Sequence, residues 1–256
     1  TKVFNSQGGT SEAIRLFSSI SDNNWKEWLA GLIDGNGCFL LSKKGYTSLE
    51  ITMDIRDEHC LNIIKNRYGG SIKLRSGLKA IRYRLHHKEG LLKLINDVNG
   101  NIRNPIRILQ FNRVCNHKNI YVLNSLELSK NNGWFAGMID SDGTVTYNKI
   151  NGQLAISVSN KYPEILKSFV TFFAGNIYPD RGKYPSFKWY ISKKEDILLF
   201  LEYSKLIPLR SEKNKRLLLI PQLYKLKSLK AHKEPDNSNL GKSWKYFINK
   251  WDSYGS

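Results

Sequence analysis

Four polar residues at two places in the chain have the types and spacing to hold a hard cation. Asp34 and Asn36 lie in WLAGLIDGNGCF (Trp28–Phe39), and Asp140 and Asp142 lie in WFAGMIDSDGTV (Trp134–Val145). Trp28/Trp134, Ala30/Ala136, Gly31/Gly137, Ile33/Ile139, Asp34/Asp140 and Gly37/Gly143 pair at one constant offset of 106 residues. Six identities in twelve positions, all in one register, indicate a duplicated unit. Read alone, either stretch could be a core helix ended by a glycine turn; the shared register favours a functional pair. Carboxylate oxygens are the ligands that Mg²⁺ takes, so two such ends brought together would make a divalent-cation site.

Each stretch reads as a short helix running into a strand. Leu29, Leu32 and Ile33, and likewise Phe135, Met138 and Ile139, sit at helical spacing. Small residues recur four apart, Gly31 and Gly35 in one copy and Gly137 and Ser141 in the other. They form a flat face that lets a second backbone come close, and the obvious second helix is the other copy. Asp34 and Asp140 then fall in the last turn, where negative charge opposes the helix dipole by about 0.3–1 kcal/mol each. Acids at the wrong end of two packed helices point to a use for them.

WLAGLIDGNG and WFAGMIDSDG resemble the paired signature motifs of the LAGLIDADG homing endonucleases in their single-chain, two-repeat form, over roughly residues 24–230. The resemblance implies a site-specific, intron-encoded double-strand DNA endonuclease acting as a monomer on a long pseudo-palindromic site, intracellular and mitochondrial. It implies that the acid at the eighth motif position binds Mg²⁺ or another divalent cation for phosphodiester hydrolysis. That position is Asp142 in copy two but Asn36 in copy one, with Gly35 and Ser141 beside them in the metal set. An amide keeps an oxygen ligand and loses the charge that offsets dehydration of Mg²⁺, so binding should survive and cleavage should weaken. The family also keeps a basic residue at the start of the last helix of each repeat. Lys213, with Lys215 next, fits copy two, and Gln110 is the copy-one candidate. The alternative implied by the same family is a non-cleaving nucleic-acid binder, such as an intron-splicing maturase acting on RNA.

Composition agrees with a polyanionic partner. The 256 residues carry a net charge of +18, and the pI is near 9.7. Three widely spaced cysteines, Cys38, Cys60 and Cys115, argue for a reducing interior and against a disulfide scaffold. Adjacent His86 and His87 cannot share a helix face as metal ligands do. No apolar run approaches the roughly 18 residues of a membrane span. Thr1–Ser21 is polar without being an Arg-rich transit peptide.

The elements that must position these groups follow in order along the chain. A helix starts near Ser21–Asp22 and ends at Gly35; strands Gly37–Lys43 and Leu49–Arg56 follow, with Ile51, Met53 and Ile55 on one face. Asp57 is a candidate cap for a helix to Arg67, a second hairpin turns at Ser76–Gly77, and helices cover about Lys88–Val98 and Pro105–Asn116. Copy two repeats the order, with Lys188–Glu195 answering Arg82–Glu89 at the same offset of 106. The expected class is α+β: two pseudo-symmetric αββαββα repeats, each with a four-stranded antiparallel sheet, joined at the motif helices. The expected division is an N-terminal extension 1–21, repeat one 22–118, a linker 119–132, repeat two 133–230 and a basic tail 231–256. One face of each sheet would be open and basic, forming a DNA-binding saddle. Its candidate contacts are Lys43, Lys73, Arg75, Arg82 and Arg84 in copy one and Lys149, Arg181, Lys183 and Lys188 in copy two. Thr52, Asn148, Gln153 and Ser157 lie among them as polar readers.

Overall fold

The computed structural model describes residues 8–180 and 185–254, with side chains from Asp22 onward. Repeat one runs α1 (Gly8–Asn36), β1 (Gly37–Leu41), β2 (Thr47–Asp54), α2 (Glu58–Tyr68), β3 (Ser71–Leu74), β4 (Ala80–Leu85), α3 (Lys88–Val98) and α4 (Pro105–His117). Repeat two runs α5 (Trp134–Asp142), β5 (Gly143–Asn148), β6 (Gln153–Asn160), α6 (Pro163–Phe173), β7 (Asn176–Asp180), β8 (Ser186–Ile191), α7 (Lys194–Leu206) and α8 (Lys213–Ser228), and α9 (Asn239–Ser253) follows. Both sheets are antiparallel and share one strand order, β1-β2-β4-β3 and β5-β6-β8-β7. The α+β architecture with two like repeats is therefore the one the duplicated motif implies.

Alternation fixes which face of each sheet is buried. Leu49, Ile51 and Met53 of β2 and Ile81, Tyr83 and Leu85 of β4 point into the core, as do Val158 of β6 and Trp189 of β8. The helices cover that face, and the opposite face is left open. Between the repeats, α1 and α5 cross at their glycines. A Cβ added to Gly31 would stand 2.1 Å from Trp134 O, and one added to Gly137 would stand 2.1 Å from Trp28 O. The helix backbones touch there because neither residue has a side chain.

The elements differ from the sequence reading at both ends and at one cap. The first helix begins at Gly8, not near Ser21; Asp22 lies inside it and pairs with Lys26 at 2.9 Å and with Arg67 rather than capping it. Residues 1–7 of the expected extension lie outside the described residues. The expected basic tail is a docked helix: Phe247 and Trp251 of α9 are buried, and Trp251 packs edge-on against Tyr147 of β5. Asp57 makes no side-chain cap bond to α2; its carboxylate accepts the Glu212 N–H across the molecule at 2.8 Å. The linker is anchored on repeat one, with Asn99 bonding the backbone of Tyr121 and Leu123.

Candidate functional site

The paired acids divide into two kinds. Asp34 and Asp140 are buried and serve the fold. Asp34 accepts the N–H groups of Arg103 (2.8 Å) and Asn104 (3.0 Å) ahead of α4, and the indole N–H of Trp134 at 2.7 Å. Asp140 mirrors it, accepting Arg210 N (2.9 Å) and Ser211 N (3.0 Å) ahead of α8, and the Trp28 indole at 2.8 Å. Each motif tryptophan thus reaches the motif acid of the other repeat, and the two repeats are cross-tied at their centre. Burial pushes the Asp34 carboxyl up to about 7, against the opposing pull of those donors. The sequence reading placed Asp34 and Asp140 among acids available to a cation; their oxygens are instead spent on N–H donors.

Asp142 is the acid left over. It ends α5 above the backbone of Gly35, where an added Cβ would come within 3.1 Å of its carboxyl carbon and 2.0 Å of Ser141 Oγ. Burial lifts its pKa to about 6, opposed by the positive charges of Lys213 and Arg107 and by an Asn160 hydrogen bond. Asp142, Gly35, Arg107 and Asn160 line a recess of about 400 Å³. Asn36, half-buried, ends α1 at the position Asp142 holds on α5. By strand register, Gly37 opposite Ile51 and Gly143 opposite Val158, the place of Asn160 in repeat two is taken in repeat one by Met53. The two centres therefore differ in their surroundings as well as in their acid.

Lys213 opens α8 and reaches back to the end of α5, donating to the carbonyls of Ile139 (2.9 Å), Asp140 (2.8 Å) and Ser141 (3.1 Å). Burial lowers its pKa, partly countered by Asp140, Asp57 and Asp142. Lys215 points out and pairs with Glu212. Gln110 does not hold the matching place: it accepts the Phe39 N–H and an Arg107 N–H, both at 3.3 Å. The match is Arg107, whose guanidinium donates to Gly35 O at 3.4 Å as Lys213 donates to Ser141 O. Arg107 is 106 residues before Lys213, so the motif offset applied to Lys213 would have found it.

Metal fit follows from the donors. The carboxylate of Asp142, the amide oxygen of Asn36 and the carbonyls of Gly35 and Ser141 all offer oxygen, and the glycine lets Ser141 and Asp142 come close over the first helix end. Such a set suits a cation that keeps much of its water and takes one or two carboxylates plus substrate phosphate. Among the described residues, no three His, Cys, Asp or Glu side chains cluster as metal ligands.

The open faces are unequal. On repeat one, Lys73, Arg75, Arg82 and Arg84 line a groove of about 1090 Å³, and Lys43 stands exposed beside it. On repeat two, Lys149 is paired with Asp252 of α9 at 2.5 Å and Lys188 with Asp180 at 3.5 Å. Arg181 and Lys183 lie outside the described residues. Thr144 and Ser157 are hydrogen-bonded to each other at 2.8 Å on that sheet, and Asn148 folds onto the following turn.

Two like repeats, each with a four-stranded antiparallel sheet, are joined where their small-faced motif helices cross. The chain belongs to the LAGLIDADG endonuclease family: residues 29–117 match the family described as LAGLIDADG endonuclease. It is 37% identical over 236 residues to an intron-encoded DNA endonuclease, ai2b, of Dictyostelium discoideum, covering 88% of each chain. It is 48% identical over 246 residues to the intron-encoded RNA maturase bI4 of Saccharomyces cerevisiae, covering 93% of this chain and 39% of that one. A probable intron-encoded endonuclease, aI2, of Debaryomyces hansenii is 42% identical, with 38% of its length covered. The chain thus spans about two fifths of the length of the latter two relatives. Its fold matches the LAGLIDADG meganuclease I-AabMI bound to uncleaved DNA, with a TM-score of 0.62 at 18% identity over 89% of this chain and 98% of that one. The I-LtrWI homing endonuclease bound to target DNA gives 0.64 at 15% identity over 91% and 98%. Among the described residues no helix is long and apolar enough to cross a membrane.

Proposed function

We propose that the chain, as a monomer, binds a long, roughly two-fold duplex DNA site across both sheets and hydrolyses it with a divalent cation, through a centre in which one of two acids is missing. The observation that carries this is the asymmetry at the helix ends: Asp142 in its recess beside Gly35 and Arg107, and Asn36 in the matching position. Bound Mg²⁺ would supply an activated water and stabilise the leaving oxygen. Asp142, Asn36 and the carbonyls of Gly35 and Ser141 would hold it. Lys213 and Arg107 place positive charge at the two helix ends, where negative charge grows on a phosphate under attack. Lys73, Arg75 and Lys43 would fix the register on phosphates, while polar side chains on the sheets read base edges. Because Asn36 brings no charge, cleavage is weakened: one strand is nicked if the two centres hold independent metals, and neither is cut if they share one. The intron-encoded relatives support action in the compartment that holds the intron, which the family resemblance puts in the mitochondrion.

A second reading, splicing assistance by binding intron RNA, is favoured by one observation: the 48% identity to an RNA maturase. Titration with the intron-free DNA of the host locus and with the intron RNA separates the two. The DNA reading expects duplex affinity to fall about a thousandfold or more between about 50 and 200 mM salt, as for six or more phosphate contacts. Tight RNA binding with a flat salt response on duplex DNA would transfer the conclusion to splicing.

A further inference from the structure

The open face of repeat one carries an acid where a phosphate-binding surface gains nothing from one. Glu50 sits mid-strand on β2, directly opposite Arg84 of β4, and Thr52 stands opposite Arg82. The Glu50 carboxylate holds both arginines, Arg82 Nη1 at 3.2 Å and Arg84 Nε at 3.1 Å. Its side chain is only 16% exposed, against 38% and 56% for the two arginines. One oxygen serves each guanidinium, so the trio has a net charge of +1 and a fixed shape. Among the described residues, repeat two shows no such clamp: Ser157 takes the register position of Glu50, facing Tyr190, and Ser159 faces Lys188.

A face built only to hold phosphates would omit the carboxylate, which repels DNA and cancels one positive charge. What Glu50 supplies is direction. It separates two like charges two residues apart on one strand and holds one nitrogen of each guanidinium, Arg82 Nη1 and Arg84 Nε, while both side chains still line the open groove. A guanidinium fixed in that way matches the O6 and N7 acceptors of guanine in the major groove. Arg82 and Arg84 are spaced by two strand residues, about 6.6–6.8 Å, close to two base-pair steps of about 3.4 Å. We propose that Glu50 is a positioning residue that makes Arg82 and Arg84 guanine readers. The half-site under repeat one then contains two guanines within three consecutive base pairs, and no equivalent pair is read by repeat two. This rests on the duplex-binding reading above.

The test is selection of bound sequences from a library of randomised DNA duplexes by the full chain, by Glu50→Gln and by Arg84→Lys. The unaltered chain should enrich a long site with the guanine pair in one half. Glu50→Gln keeps size and one acceptor oxygen but frees the arginines, so preference for both guanines should fall about tenfold or more while affinity for random duplex rises. Arg84→Lys keeps the charge and loses the two-pronged contact; it should relax one guanine position and leave the salt dependence unchanged. Thermal melting of each variant alongside the unaltered chain confirms that the fold is intact. A selected site without the guanine pair, or a Glu50→Gln site identical to that of the unaltered chain, overturns the clamp while leaving duplex binding standing. A chain that enriches no duplex at all overturns the binding reading itself, and the clamp with it.

Discussion

Gly31→Ala tests the close crossing of the two motif helices. The new methyl would lie 2.1 Å from Trp134 O, 3.0 Å from Trp134 C and 3.1 Å from Met138 N, all backbone atoms that cannot swing aside. Restoring an ordinary contact of 3.4 Å or more to Trp134 O means moving α5 away by over 1 Å. Overpacking of this kind costs about 1–3 kcal/mol or more. The same shift stretches the Trp28–Asp140 and Trp134–Asp34 hydrogen bonds, which span the crossing, and a buried polar group left unpaired costs about 1–3 kcal/mol. Against this, alanine in a helix is favoured over glycine by about 1 kcal/mol. The steric and hydrogen-bond losses win, for a net destabilisation of about 1–5 kcal/mol. Urea unfolding followed by tryptophan fluorescence reads it directly, because Trp28 and Trp134 sit at the contact. Gly77→Ala, where an added Cβ meets nothing within 4 Å, is the comparison. Its φ of +73° is the source of strain there, at about 1–2 kcal/mol. Unfolding of Gly31→Ala at the same urea concentration as the parent, or a higher one, would refute the close crossing.

The other predictions concern the C-terminal helix and the remaining acid. Trp251→Ala removes a side chain only 2% exposed and should cost about 3–5 kcal/mol; a loss below 1 kcal/mol in the same urea assay would mean that α9 is a loose tail. In the metal-free chain, burial raises the Asp142 pKa from 3.8 to about 6. The folded state then holds this proton more tightly than the unfolded one, so the associated stability is complete below about pH 4 and is lost as pH rises through about 6. Asp142→Asn should flatten that part of the stability–pH curve, and an unchanged slope between pH 4 and 6 would contradict the raised pKa.

What was legible in the sequence was whatever repeats. The offset of 106 residues gave the duplicated unit and the helix face with its glycines. Alternation gave the strands, since burying one sheet face forces a period of two. The roles of Asp34 and Asp140 were not legible, because their partners lie about 70 and 100 or more residues away and include backbone N–H groups common to every residue. Asp57 shows the same limit: next to a helix start it looks like a local cap, yet it serves Glu212, 155 residues on. Arg107 is legible: the motif offset applied to Lys213 leads to it, whereas Gln110 lies three residues on, where it accepts an N–H from Arg107. The lysines of α9 mark a basic, amphipathic tail in the sequence, but what its buried Phe247 and Trp251 pack on is visible only against α8 and Tyr147.

The central claim is that one missing carboxylate separates this centre from a complete one, and Asn36→Asp tests it most directly. Supercoiled plasmid carrying a site that the chain binds is incubated with Mg²⁺ and either the parent chain or the variant, and resolved into intact, nicked and linear forms. The parent should leave the plasmid intact or nicked, and Asn36→Asp should linearise it while binding the site about equally well. The added carboxylate should make a difference to binding only without Mg²⁺, as a modest repulsion from phosphate. Absence of linear product from Asn36→Asp, on a site both proteins bind, would contradict the endonuclease reading and leave a binder in its place.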